Sequence, residues 1–139
     1  MWKISAIVVV ALGAFAAPAA ADYQFRTPSG NIGCYFAKAS AGSSTYLRCD
    51  IRSGLRPKPP RPRGCVDLDW GDSYEMGVTG RVLVTCHGDT AIDPTARVLR
   101  YGSTWRGGGF TCTSKTTGLR CRNRRGHGWF MSRRHSYRF

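Results

Sequence analysis

After Asp93 the chain carries no acidic residue. From Pro94 to Phe139 there are eleven Lys and Arg, whereas residues 22–93 hold nine basic and eight acidic residues. That asymmetry excludes a self-neutralised surface in the C-terminal part and points to an anionic partner. Long uninterrupted stretches are also missing. With 17 Gly and 7 Pro in 139 residues, nothing beyond residue 21 runs more than eleven residues without one or the other, which leaves little room for long helices. No later segment is apolar enough to span a bilayer. There is no C-x-x-C or H-x-x-x-H pair of the zinc-binding kind, and neither G-x-S-x-G nor H-E-x-x-H occurs. No cofactor and no metal is therefore expected.

The start of the chain is what locates it. MWK supplies a positive charge, and ISAIVVVALGAF (4–15) is an apolar run of the length of a secretory h-region. Pro18 and Ala19-Ala20-Ala21 follow, small residues of the A-x-A cleavage type. The reading is a signal peptide over residues 1–21, leaving 22–139 as one secreted or periplasmic domain; a retained anchor is the alternative. All six cysteines (Cys34, Cys49, Cys65, Cys86, Cys112 and Cys121) lie beyond the cleavage point. An even count in a small exported domain reads as three disulfides.

Short β-rich runs alternate with turn residues: YQFR (23–26), IGCYFA (32–37), TYLRCDI (45–51), RVLVTC (81–86), RVLRY (97–101), FTCTS (110–114), GLRCRN (118–123) and WFMS (129–132). This pattern predicts an all-β fold, a small disulfide-stapled sandwich or barrel of short antiparallel strands. Two regions are alike. GCYFAKASAGSSTYLRCDIR (33–52) and FTCTSKTTGLRCRNR (110–124) each place one Cys early, then a polar turn, then Leu-Arg-Cys. A hairpin centred on Thr116-Thr117 puts Cys112 opposite Cys121, with Gly118 as the left-handed residue of a three-residue loop. The same logic pairs Cys34 with Cys49 and leaves Cys65 with Cys86. RPKPPRPRG (56–64) cannot be a central strand and is expected to run extended over the surface.

TPSGNIGC (27–34), RCDI (48–51), CVDLDWG (65–71), CHGDT (86–90), LRYG (99–102), FTCTSKTTGLRC (110–121) and GHGWFMSR (126–133) occur in this order. Together they resemble an uncharacterised family of small secreted cysteine-rich bacterial domains. The resemblance covers nearly all of residues 22–139 and implies a bacterial, exported, cysteine-bridged domain. It implies no activity and no catalytic residues. Trp129 stands where Phe is expected, and the arginine density of the tail is heavier than the family pattern requires.

Several motifs carry possible chemistry. In GHG (126–128) two glycines could present His127 to a substrate, but a tight turn into the last strand is the ordinary reading. In CHGDT, a carboxylate such as Asp89 could orient His87 as in a triad, and convergence of His87 and His127 is the premise of a hydrolase-like alternative. DLDWGD supplies Asp67, Asp69 and Asp72, more simply a solvated turn with Trp70 in the core than a cation site. TPSGN is turn chemistry. The strongest signal is the tail, where Arg120, Arg122, Arg124, Arg125, Arg133, Arg134 and Arg138 fall within the last twenty residues. A period of two places Arg120, Arg122 and Arg124 on one strand face, with Arg133, Arg134 and Arg138 joining if the final segment pairs nearby. Trp129, Phe130, Tyr137 and Phe139 are interspersed. Basic grooves with aromatic platforms bind single-stranded nucleic acid; outside the cytoplasm an anionic glycan, a lipid headgroup or another polyanion is the nearer ligand. The expectation is a monomeric, non-enzymatic binding module with a basic C-terminal surface. A protein-protein interaction or inhibitor module reading loops 40–45 or 56–64 is the alternative.

Overall fold

The computed structural model describes residues 22–139 together with Gly13. The apolar start and the expected cleavage after Ala21 lie outside the described residues.

Among the described residues every regular element is a β-strand. β1 (Tyr23–Arg26), β2 (Ile32–Ala37), β3 (Tyr46–Ile51), β4 (Ser73–Gly77), β5 (Leu83–Val84) and β6 (Arg97–Val98) form one sheet in the order β5-β4-β3-β2-β1-β6. β7 (Thr104–Gly107), β8 (Phe110–Lys115), β9 (Gly118–Arg122), β10 (Gly128–Met131) and β11 (Ser136–Arg138) form the second, in the order β11-β10-β9-β8-β7. Neighbouring strands are antiparallel except β1 and β6, which pair in parallel. The fold is all-β, two sheets of short strands packed as a sandwich.

Alternation builds the core. Cys34 and Phe36 from β2, Leu47 and Cys49 from β3, and Tyr74 and Met76 from β4 are buried on the inner face of the first sheet. Phe110, Cys112, Leu119, Cys121, Trp129 and Met131 meet them from the second. Each large apolar side chain buried there contributes about 1.5–3 kcal/mol. Trp105 closes the side, stacked on Tyr23 at 5.7 Å and tilted against Phe25 at 5.3 Å and Phe36 at 5.5 Å.

The disulfides join Cys34 to Cys49, Cys65 to Cys86 and Cys112 to Cys121, the pairing that hairpin geometry predicts. Cys34 faces Cys49 across β2 and β3, and Cys112 faces Cys121 across β8 and β9, each with Cα atoms 4.1 Å apart. Both bridges lie wholly inside the core. The third ties the end of the proline-rich arm to the segment after β5.

Some details differ from the sequence expectation. Lys115 pairs with Gly118, so the β8–β9 loop has two residues, not three. Gly118 has φ of 151°, positive and unfavourable for other residues though not the αL value of a three-residue loop, and a Cβ there would also lie 2.5 Å from the Met131 carbonyl oxygen. Of RVLVTC only Leu83–Val84 pairs, as a short edge strand. Of RVLRY only Arg97–Val98 pairs, because the chain turns at Tyr101-Gly102. Trp70 is not in the core. It is half-buried outside it, with the Lys58 ammonium 4.3 Å and the Arg61 guanidinium 4.2 Å from its ring centre and its Nε1 donating to the Pro59 carbonyl at 3.3 Å. The proline-rich arm thus folds down on Trp70 through cation–π contacts.

Candidate functional site

The outer face of the second sheet is set by register. β9 alternates Leu119 and Cys121 inward with Arg120 and Arg122 outward. Arg120 stands between Thr113 of β8 and Phe130 of β10, and Tyr137 of β11 follows in the same row. Arg122 stands between Thr111 and Gly128, with Arg106 of β7 beyond Thr111. Lys115 and Thr104 complete the face on β8 and β7. The Arg120 guanidinium lies 4.0 Å from the Phe139 ring centre. Phe130, His135 and Tyr137 gather beside it, with centroids 5.2–5.8 Å apart. No strand of this sheet contains a carboxylate. Among the described residues, no arginine of this sheet has an ion-pair partner; the salt bridges are Arg48–Asp50, Arg48–Asp89 and His87–Asp72.

The structure divides the seven tail arginines. Arg120 and Arg122 share the face. Arg124 does not join them: β9 stops at Arg122, and Asn123 turns inward, leaving Arg124 in a turn against Gly109 and Val78. Arg125 is exposed in the same turn. Arg133 and Arg134 occupy the β10–β11 turn at the opposite end of the sheet, and β9, five residues long, separates the two turns by about 16 Å at ~3.3 Å per residue. Arg138 alternates with Tyr137 and so leaves the outer face. Its guanidinium reaches the Val82 carbonyl at 3.3 Å. Trp129 is likewise no part of a surface platform, being fully buried beside Tyr74.

Sequence reasoning missed Arg106 and Lys115, because β7 was not recognised and Lys115 reads as a turn residue. The outward Thr-x-Arg spacing at Thr104 and Arg106 was the available signal. It also missed Asn123. That buried side chain accepts from the backbone N–H groups of Arg125 (3.0 Å) and His127 (3.1 Å) and donates to the carbonyls of Gly77 (3.0 Å) and Gly80 (2.7 Å). It shapes the GHG turn and ties it to β4. Gly128 is required there because a Cβ would run into the Cys121 carbonyl oxygen.

The two candidate histidines do not meet. His87 is buried and its Nε2 lies 2.7 Å from an oxygen of Asp72, just before β4. His127 sits in the turn that Asn123 anchors to Gly77, at the other end of β4. Five strand residues separate the two ends, about 16 Å at ~3.3 Å each. The partner of His87 is Asp72, not Asp89, and among the described residues its enclosed Nδ1 has no partner, so neither ring nitrogen is presented at the surface. Asp89 instead binds Arg48 at 3.0 Å, which holds its carboxyl below the usual carboxylate range. Among the described residues no three His, Cys, Asp or Glu side chains gather as metal ligands do; of the acidic turn, Asp67 and Asp69 are exposed and Asp72 is engaged with His87.

Residues 4–139 match DUF6636, a family of unknown function. No curated protein and no solved structure matches the chain.

Proposed function

Because the chain belongs to DUF6636, a family of unknown function, membership brings no activity with it, and we propose from the geometry that this is an exported, non-enzymatic module that binds a polyanion on the outer face of its second sheet. One observation carries the reading: Arg106, Lys115, Arg120 and Arg122 share a face with exposed aromatic edges and without an Asp or Glu side chain. Guanidinium forks grip phosphate, sulfate or carboxylate in two-point fashion. Three disulfides in so small a domain fit an oxidising compartment, secreted or periplasmic, where anionic glycans and lipid headgroups are the abundant ligands. Among the described residues no helix is long and apolar enough to cross a membrane.

The test is binding of the oxidised protein to heparin, lipopolysaccharide, anionic vesicles and single-stranded DNA across 50–200 mM salt, roughly the range over which counterion release is read. Affinity falls with salt, and Arg120→Ser/Arg122→Ser lowers the slope of log K against log salt by about 2, by analogy with phosphate contacts. Arg63→Ser, in the proline-rich arm, leaves it unchanged. Salt-independent binding, or an equal loss in Arg63→Ser, sinks the proposal.

A protein partner is the second reading. Val66, 71% exposed, and Leu68, 44% exposed, stand out on the loop closed by Cys65–Cys86. Binding that survives Arg120→Ser/Arg122→Ser and fails in Val66→Ser/Leu68→Ser favours it.

A further inference from the structure

Three turns meet where β8 passes into β9: the Thr27–Asn31 turn of the first sheet, the Lys115–Gly118 turn, and the Ser132–His135 turn. They border an open cleft of about 610 Å³, with Ile32, Tyr101 and Phe130 as its apolar parts. A second hollow of about 380 Å³ adjoins it, sharing Ser29, Asn31 and Arg133 and adding Arg52 and Ser53. These volumes suit a ligand of one or two rings. Arg52, Lys115, Arg133 and Arg134 line the hollows, and no Asp or Glu does.

The walls are built rather than loose. Asn31 is buried; its amide donates to the Ser53 hydroxyl at 3.1 Å and its oxygen accepts from the Ser53 N–H at 3.1 Å. The Ser29 hydroxyl accepts from the Asn31 N–H at 3.2 Å. On the opposite wall the Ser132 hydroxyl donates to the His135 carbonyl at 2.9 Å and accepts from the N–H groups of His135 (3.1 Å) and Arg134 (3.3 Å). That turn fixes Arg133 and Arg134 at the rim. TPSGN, which reads as turn chemistry alone, therefore also forms a wall, and Thr27, Thr116 and Thr117 add hydroxyls around the space.

We infer that this cleft binds an anionic sugar unit, the acid group held by Arg133 and Arg134, the hydroxyls by the Thr116, Thr117 and Ser53 hydroxyls and the second amide hydrogen of Asn31, and the apolar ring face by Tyr101 or Phe130. Guanidinium forks suit the acid, hydroxyl and amide groups both donate and accept as a polyol requires, and aromatic side chains offer the apolar area. The inference rests on the proposed polyanion face. Lys115 lies on both, and Phe130 and His135 adjoin both, so a chain lying along the sheet delivers its end unit to the cleft.

The test is titration of the oxidised protein with glucuronic acid, glucose 6-phosphate, glucose and AMP, followed by calorimetry or amide shifts, with heparin run in parallel. Both acidic sugars bind, and glucose binds at least tenfold more weakly. Arg133→Ser/Arg134→Ser weakens the acidic sugars at least tenfold and Tyr101→Ala severalfold, while Arg63→Ser changes nothing. Thermal melts establish that these variants are folded. Acidic sugars that fail to bind while heparin binds overturn the cleft and leave the face. Acidic sugars that bind while heparin fails remove the face and keep the cleft. AMP binding tighter than either sugar overturns the sugar assignment.

Discussion

Leu-Arg-Cys occurs twice, and the two arginines have opposite fates. Both stand on bridged hairpins, beside Cys49 of β3 and Cys121 of β9, and both point away from the core. Arg48 is only 13% exposed and is consumed by carboxylates, donating to Asp50 at 2.8 and 2.9 Å and to Asp89 at 3.0 Å. Arg120 is exposed, has no carboxylate partner among the described residues, and lies over the Phe139 ring. The residue after the cysteine decides much of this: Asp50 in the first hairpin, Arg122 in the second. A loop decides the rest. Asp50 also accepts from Ser73 Oγ (2.6 Å), Thr90 Oγ1 (3.3 Å) and the Ala91 N–H (2.7 Å), which draws residues 89–92 over the outer face of the first sheet. Gly33 permits that approach, since a Cβ there would lie 2.6 Å from the Ile92 Cα. Thr111 holds the corresponding place in the second sheet, whose arginines stay open to solvent. One backbone pattern thus yields a sealed face and a free one, and charge placement, not strand geometry, separates structure from binding.

The comparison breaks most sharply at Asp50. Asp50→Ala leaves Arg48 half-buried without its main partner and frees the 89–92 loop, costing about 3–5 kcal/mol, whereas Arg122→Ala stays within about 0.5 kcal/mol. Urea denaturation of the two variants measures both. Equal stability would mean that the first face is not held by its carboxylate.

Removing a bridge has the next largest effect. Loop entropy gives about 3 kcal/mol for Cys34–Cys49, closing 15 residues, and about 2.6 kcal/mol for Cys112–Cys121, closing 9. The double Cys→Ala variants, melted under oxidising conditions, should follow that order; a reversal would show that packing around the bridges outweighs chain entropy.

These effects mark how far the residues alone could be read. Cysteine spacing and the Leu-Arg-Cys echo made the hairpins and bridges legible, because a cross-strand bridge requires directly opposed positions. The outward Arg120 and Arg122 were legible from alternation, and GHG from its glycines. What escaped depends on distant chain. β4 was hidden because only Tyr74 and Met76 of its five residues are apolar and Gly71 and Gly77 bracket them as turn signals; Glu75, the outward residue between them, faces Arg48 across the sheet, and burial pushes its carboxyl up. The neutralisation of Arg48 requires a loop forty residues on. Arg124 and Arg138 were misplaced because Asn123 ends β9 early and because Tyr137, not Arg138, takes the outward position of β11.

Smaller effects sharpen the contrast between the two halves. Trp129 fills the core between the sheets, and among the described residues its indole N–H has no partner. Trp129→Phe removes that uncompensated donor but leaves a small void, so stability changes by less than about 1.5 kcal/mol, read from urea midpoints. A loss like that of a full truncation would mean that the N–H has a partner. On the first sheet, the Asp22 carboxylate accepts from Tyr35 at 2.7 Å and, with burial, pushes the phenol up to about 12. The folded value exceeds the usual one near 10, so this contact stabilises below pH 10 and is lost as pH rises through about 12. Burial also raises Tyr46 and Tyr74, so ultraviolet titration should show several late tyrosines, of which Asp22→Asn returns Tyr35 towards the ordinary range and leaves the buried Tyr74 late.

The most direct measurement is amide and arginine side-chain shift mapping of the oxidised protein with a short heparin oligosaccharide at low salt. The account predicts shifts at Arg106, Thr111, Thr113, Arg120 and Arg122, with Arg48 and Asp50 unmoved. Shifts centred on Arg48 and the 89–92 loop, or none at Arg120 and Arg122 under saturating ligand, would contradict it.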